Sequence, residues 1–231
     1  KYVSWIYLLW LNFAYYFLFC HFLGDRPDVA AYEEKMLPVK RSESQENIEI
    51  TSALREDNFQ RKIYQYDIIS FDIFDTLIFR PVSDPTDLFF FLGSELGILD
   101  FKHIRTEQER KARKEQYKKN GSYEVTLSDI WKQIEQEIGL DAVSGMKLEQ
   151  DLEMQLCYAN PYMKEKFENV LRSGKKIIVT SDMYLSKEFL EKMLVKNGYC
   201  GISEIFISCE YGCNKGSGAL FDLIKEKYHS S

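Results

Sequence analysis

An aspartate held at the carboxyl end of a buried parallel strand can attack an electrophile from a fixed direction, and residues 66–77 offer that arrangement. A short run at 66–69, apolar apart from Asp67, reads as such a strand, and Ser-Phe-Asp-Ile-Phe-Asp-Thr-Leu occupies 70–77. Asp72 therefore falls where an acyl-phosphate nucleophile is often held. Phe74, Asp75 and Thr76 follow it in the turn. Two further strand-to-loop junctions carry polar residues. Lys-Lys-Ile-Ile-Val at 175–179 runs into Thr180, Ser181 and Asp182, and a third apolar strand at 205–208 runs into a Gly-rich segment, 209–218, that contains Lys215. Each also has an ordinary structural reading, because Asp or Ser at a strand end is commonly a turn or cap residue and Lys in a Gly-rich loop is commonly solvated.

Taken in order, the three segments resemble motifs I, II and III of the haloacid dehalogenase-like (HAD) superfamily. More narrowly, Phe-Asp-Ile-Phe-Asp-Thr-Leu with Ser-Asp-Met-Tyr-Leu at 181–185 is similar to hydrolase modules found alone or fused to glycosyltransferases. The similarity covers about residues 48–228, and its specificity lies in the ordered triplet. It implies an α/β fold, a HAD-like Rossmannoid parallel sheet with an inserted α-helical cap. It also implies roles: Asp72 as nucleophile, Ser181 as hydrogen-bond donor to a phosphoryl oxygen, and Lys215 as the balancing charge. Mg²⁺ would sit on the Asp72 carboxylate and the Phe74 backbone carbonyl. Asp75, Thr76 and Asp182 are further candidates around the same loop ends. The implied activity is hydrolysis of a small phosphorylated metabolite, such as a sugar phosphate, through an aspartyl-phosphate.

One residue departs from the phosphatase pattern. That branch places its general acid/base, an Asp, two residues after the nucleophile, and this chain has Phe74 there. Such a group contributes roughly 10²–10⁴ in rate. Three explanations stand side by side: Asp75 serves instead, a cap carboxylate serves, or the leaving group needs no proton. The last matches the dehalogenase branch, whose second position is also aromatic, and makes carbon–halogen hydrolysis the second enzyme reading. A non-catalytic accessory module of a polysaccharide-synthesis or glycosyltransferase protein is the alternative from outside the enzymes. The family's fourth motif, an acidic metal-binding pair, has no counterpart up to Ser231. The expectation is thus of a chain truncated before that strand, inactive alone and a weak binder of Mg²⁺.

A formal charge of −6 argues against a general nucleic-acid binder. The basic run at 110–119 is interrupted by Glu115 and Gln116 and reads as the solvated face of a helix. Five cysteines without Cys-x-x-Cys spacing favour neither a disulfide framework nor a zinc site, and free thiols fit a reducing cytoplasm. Residues 5–23 carry no charge and approach the ~20 apolar residues that cross a bilayer. Three readings stand for them: a segment in membrane contact, a remnant of an upstream domain, or translation from a misassigned start.

The punctuation predicts the layout that positions the candidate residues. Residues 1–24 form the apolar, aromatic-rich segment, 25–58 a polar linker, 59–83 with 159–231 the core, and 84–158 the cap. A short helix over about 51–65 leads into the first strand. Within the cap, Asp84-Pro85 opens a helix that ends at Gly97, and a second runs over 100–120 to Gly121. Thr126 and Asp129 form a capping box before Ile130, Ile134 and Ile138, and a fourth helix covers 144–158. Asn160-Pro161 then starts a core helix whose apolar face is Met163, Phe167, Val170 and Leu171.

Overall fold

The computed structural model describes residues 59–229. The expectations for 1–24 and 25–58 lie outside the described residues, and of the leading helix only 59–65 is described, helical over 59–64. Among the described residues no helix is long and apolar enough to cross a membrane. The residues from Lys62 onward form one compact unit.

In chain order its elements are β1 (Ile68–Phe71), β2 (Ile78–Phe79), a 3₁₀ turn (Pro85–Asp87), α1 (Leu88–Leu96), α2 (Phe101–Asn120), α3 (Leu127–Ile138), α4 (Ala142–Leu156), β3 (Tyr158–Ala159), α5 (Pro161–Arg172), β4 (Lys176–Ser181), α6 (Lys187–Lys196), β5 (Glu204–Ile207), the single-turn α7 (Ser208–Tyr211) and α8 (Ala219–Tyr228). The fold is α/β. Its main sheet has the order β1-β4-β5, with both pairings parallel. β4 is central, and five of its six residues are buried, which is why it reads as an unbroken apolar run rather than an alternating one.

Opposite faces of the sheet have different covers. Ile178, Phe206, Leu220 and Ile224 form one buried cluster, with Ile68 packed against it, so α8 covers that face. On the other, Phe71 meets Phe167 of α5 at 5.6 Å between ring centroids, and Phe167 meets Tyr199 edge-on at 5.1 Å. Phe167 and Val170 are buried as expected of the α5 apolar face, but Leu171 is 42% exposed. It ends the helix face beside Gly201, where an added Cβ would come within 2.7 Å of its Cδ1.

The helical insert between β1 and β4 follows its capping signals. Thr126 and Asp129 make the reciprocal capping box at α3, and Asn160 caps α5 by accepting from the N–H groups of Tyr162 and Met163. Gly121 and Gly139 close α2 and α3 in the left-handed conformation. The fourth helix differs from the expectation of 144–158. It starts at Ala142 because the Asp141 side chain accepts from Ser144 N–H, and it ends at Leu156, leaving Tyr158 to a strand.

That strand is the main feature the sequence reading lacks. β2 and β3 pair antiparallel, with Ile78 opposite Ala159 and Phe79 opposite Tyr158. Below this pair Asn160 N–H donates to Leu77 O at 2.8 Å, Asn160 Nδ2 donates to Thr76 O at 2.8 Å, and the buried Tyr199 hydroxyl donates to Leu77 O at 2.7 Å. Both chain crossings between sheet and insert are thereby tied together. Arg80, just past β2, adds a bidentate ion pair to Glu153 of α4, at 3.1 and 2.8 Å.

Candidate active site

Asp72 directly follows β1, and its Oδ1 accepts from Ile73 N–H at 2.8 Å. The chain then closes a tight loop, with Ile78 N–H donating to Ile73 O at 2.8 Å and Asp75 N–H donating to Ile78 O at 2.9 Å. Closing it places Asp75 at φ 57°, a left-handed conformation that L-residues other than Asn and Asp seldom adopt. Ser181 is the last residue of β4 and is buried. Lys215 lies in the loop between α7 and α8, and its Nζ is 2.9 Å from Asp72 Oδ1. Two strand-end residues and a lysine from the loop beyond α7 thus line one cleft at the carboxyl ends of the strands, where α/β proteins bind ligands.

A cleft of about 350 Å³ opens over them. Asp72, Phe74, Asp75, Ser181, Asp182 and Lys215 line it from below, while Arg80, Pro85, Thr86, Phe89 and Glu109 line it from the insert side. Met183 and Tyr184 complete the wall. Thr76 is not among the lining residues; its carbonyl is engaged by Asn160. Asp182 lines the cleft, yet both of its oxygens accept the Lys215 backbone N–H, at 2.9 and 3.1 Å, so it anchors the lysine loop.

Arg80, Glu109 and Tyr184 were absent from the residues singled out by sequence. Arg80 is the one cation in the apolar stretch 73–82 and could have been noticed there. Its guanidinium lies 3.8 Å from the centre of the Phe74 ring. Glu109 is clamped by Arg105 Nη1 at 2.9 Å and by Arg113 Nε and Nη2 at 2.9 and 2.7 Å. Burial pushes its carboxyl up, but the two guanidinium groups outweigh burial and hold it below the usual range. It stays ionised and is a poor proton donor at neutral pH. Burial, reinforced by the Glu149 charge, pushes the Tyr184 phenol well above its ordinary value. Cys209 beside the lysine loop is likewise pushed up, to about 12, by burial and then by Glu210, which marks it as an unreactive thiol.

The metal implied by the resemblance can be tested against these donors. Asp72 Oδ1 is shared by an N–H and an ammonium, and Asp182 is occupied by Lys215 N–H. Among the described residues no three His, Cys, Asp or Glu side chains group so as to hold a metal ion. Mg²⁺ demands a near-octahedral oxygen shell, and the donors that these residues bring together do not fit it.

No family model and no curated protein sequence matches the chain. Among solved structures it is similar to the L-2-haloacid dehalogenase of Xanthobacter autotrophicus with chloropropionic acid covalently bound, at 10% identity and a TM-score of 0.49, over 71% of this chain and 66% of that one. It is similar to a HAD-family enzyme of Bacteroides thetaiotaomicron at 13% identity and a TM-score of 0.48, over 71% and 79% of the two chains. A HAD hydrolase of Bacillus subtilis bound to magnesium gives 12% identity and 0.45, over 70% and 73%. The chain therefore spans just under two thirds of the Xanthobacter enzyme's length. These are likenesses of chain course alone. The parallel order β1-β4-β5 and the helical insert between β1 and β4 make the fold α/β with a Rossmann-like parallel sheet, and Asp72, Ser181 and Lys215 line one cleft over it.

Proposed function

We propose that the protein is a hydrolase that uses Asp72 as nucleophile on a small phosphorylated metabolite. The observation that carries this is the 2.9 Å contact between Lys215 Nζ and Asp72 Oδ1 at the floor of a cleft roofed by the insert. Asp72 Oδ2, the oxygen outside that contact, would attack phosphorus as the P–O bond to the leaving group breaks and its electron pair departs with the alkoxide. Water then attacks phosphorus, releasing phosphate and restoring the carboxylate. Lys215 and Ser181 would stabilise the charge that develops on the phosphoryl oxygens. With Glu109 clamped by two guanidinium groups and Asp182 engaged by the lysine loop, Asp75 is the lining carboxylate assigned to the proton of the alkoxide. No step here passes through a metal.

A second reading is favoured by Phe74 beneath Arg80. In carbon–halogen hydrolysis Asp72 attacks carbon, the halide leaves with the bonding pair, and no proton donor is needed. Isotope placement separates the two. A single turnover in H₂¹⁸O puts the label into phosphate when water attacks phosphorus, and into the Asp72 carboxylate when water attacks the acyl carbon of an aspartyl ester. Mass spectrometry after incubation with an aryl phosphate or with 2-chloropropionate, with and without Mg²⁺, reads the outcome. Absence of turnover with both would set aside the hydrolase reading in favour of a non-catalytic module.

A further inference from the structure

The connection between α2 and α3 belongs to the insert, yet two of its side chains bond to the loop that carries Lys215. Ser122 Oγ donates to Gly212 O at 2.7 Å, and Asn214 Nδ2 donates to Glu124 Oε1 at 3.0 Å. Asn214 organises the turn that follows it. Its Oδ1 accepts from Ser217 N–H at 2.9 Å and its carbonyl accepts from Ser217 Oγ at 3.0 Å, while Gly218 N–H donates to Lys215 O at 2.9 Å. From the sheet side Asp182 holds the Lys215 N–H. The lysine loop is therefore gripped on one side by the end of β4 and on the other by the insert.

We propose that Glu124 is a positioning residue: by accepting from Asn214 it joins the insert to the lysine loop, so that Lys215 is set against Asp72 while the insert is docked. For its effect on turnover the proposal rests on the hydrolase reading. A carboxylate in this place acts as an acceptor, not as a charge partner of Lys215, because the side chain it holds is a neutral amide. Displacing a charge-stabilising group by about an ångström is enough to cost up to ~10²-fold in rate.

The test uses the full chain as wild type, Glu124→Ala and Glu124→Gln. Amide hydrogen exchange is followed over 213–218, and kcat and KM are measured with an aryl phosphate. In the Ala variant exchange over 213–218 should rise about tenfold, as for a loop losing a local tether, with kcat falling about tenfold and KM changing less than kcat. The Gln variant, whose Oε1 accepts the same hydrogen bond, should restore both. Unchanged exchange in the Ala variant overturns the proposal. So does exchange that rises equally in β2 and β3, or a Gln variant as impaired as the Ala variant. If the wild type turns over no ester, the hydrolase reading fails separately, and exchange alone decides whether the link holds the loop.

Discussion

Arg105 of α2 and Glu149 of α4, 44 positions apart, face one another inside the insert with both side chains fully buried, joined through Nε at 3.0 Å and Nη2 at 2.8 Å. Glu149 also accepts from Trp131 Nε1 at 2.7 Å, and the guanidinium lies between the rings of Phe89 and Tyr184. Truncating Glu149 takes from the buried guanidinium its bidentate partner and leaves it to Glu109 alone. Glu149→Ala is expected to lower stability by about 3–5 kcal/mol, whereas the double change Arg105→Met with Glu149→Leu, which removes both charges but leaves Trp131 Nε1 without its acceptor, should lose less than the single change in urea denaturation. A single variant within about 1 kcal/mol of wild type, on the same scale of buried pairs, would show that water reaches the site.

Gly145 lets α4 lie directly on Trp131. A Cβ at that position would sit 2.0 Å from Trp131 Cζ3, and the ring is fully buried with nowhere to move. Gly145→Ala gains helix propensity of about 1 kcal/mol. Overpacking nonetheless makes the expected net effect a loss of about 1–3 kcal/mol in urea denaturation. An equal or higher midpoint would mean that α3 and α4 can shift apart at little cost.

Alkaline stability should report on Tyr199. Burial raises its phenol from 10.0 to about 12, against a smaller opposing effect of the Asn160 backbone. The folded state therefore holds this proton more tightly than the unfolded chain does. The resulting contribution is complete below pH 10 and is lost as pH rises through about 12. Tyr199→Phe removes the donor to Leu77 O, at an expected cost of about 1 kcal/mol at neutral pH. The same change should flatten the stability profile above pH 10, where the phenol begins to ionise in the unfolded chain. Urea midpoints measured across that range for both proteins check the sign, and parallel profiles would count against it.

Under the proposed reaction Asp72→Asn should abolish turnover of an aryl phosphate while leaving the circular-dichroism spectrum unchanged. Lys215→Ala should lower kcat about 10²–10³-fold, the range for removing one group that stabilises developing charge. More than a few per cent of wild-type turnover in the Asn variant would take the nucleophile assignment away from Asp72.

The convergence of Asp72, Ser181 and Lys215 was legible because each is flagged locally, by an apolar run that ends in a polar residue or a Gly-rich loop. Helix limits were legible wherever a cap side chain and a closing Gly coincide, as at Thr126 and Gly139. They slipped at α4, where Asp141 and Ser144 are both plausible caps and only the Asp141 carboxylate accepts the bond. β1 lies two residues later than the apolar run suggested, since its pairing with β4 begins at Ile68 opposite Lys176 and Tyr66 is 60% exposed. Arg105 with Glu149, and the grip of Glu124 on Asn214, join residues far apart in sequence and leave no periodic trace. The pairing of β2 with β3 escapes for another reason, because two residues are too few to show an alternation.

That short pairing also determines how separable the two parts of the molecule are. Phe79, where the chain leaves the sheet layer, faces Tyr158, where it returns, and antiparallel partners lie about 4.5–5.5 Å apart at Cα. A two-residue hairpin turn spans that gap. Everything between Phe79 and Tyr158 could accordingly be exchanged for a different helical bundle, or for a bare turn, without rethreading the parallel strands. Because the entropy of closing a loop grows only with the logarithm of its length, a longer or shorter replacement meets little thermodynamic resistance. The sheet that carries Asp72 and the helical bundle above it can in this way diversify separately, provided that a replacement bundle renews the grip on the lysine loop that Ser122 and Glu124 supply here.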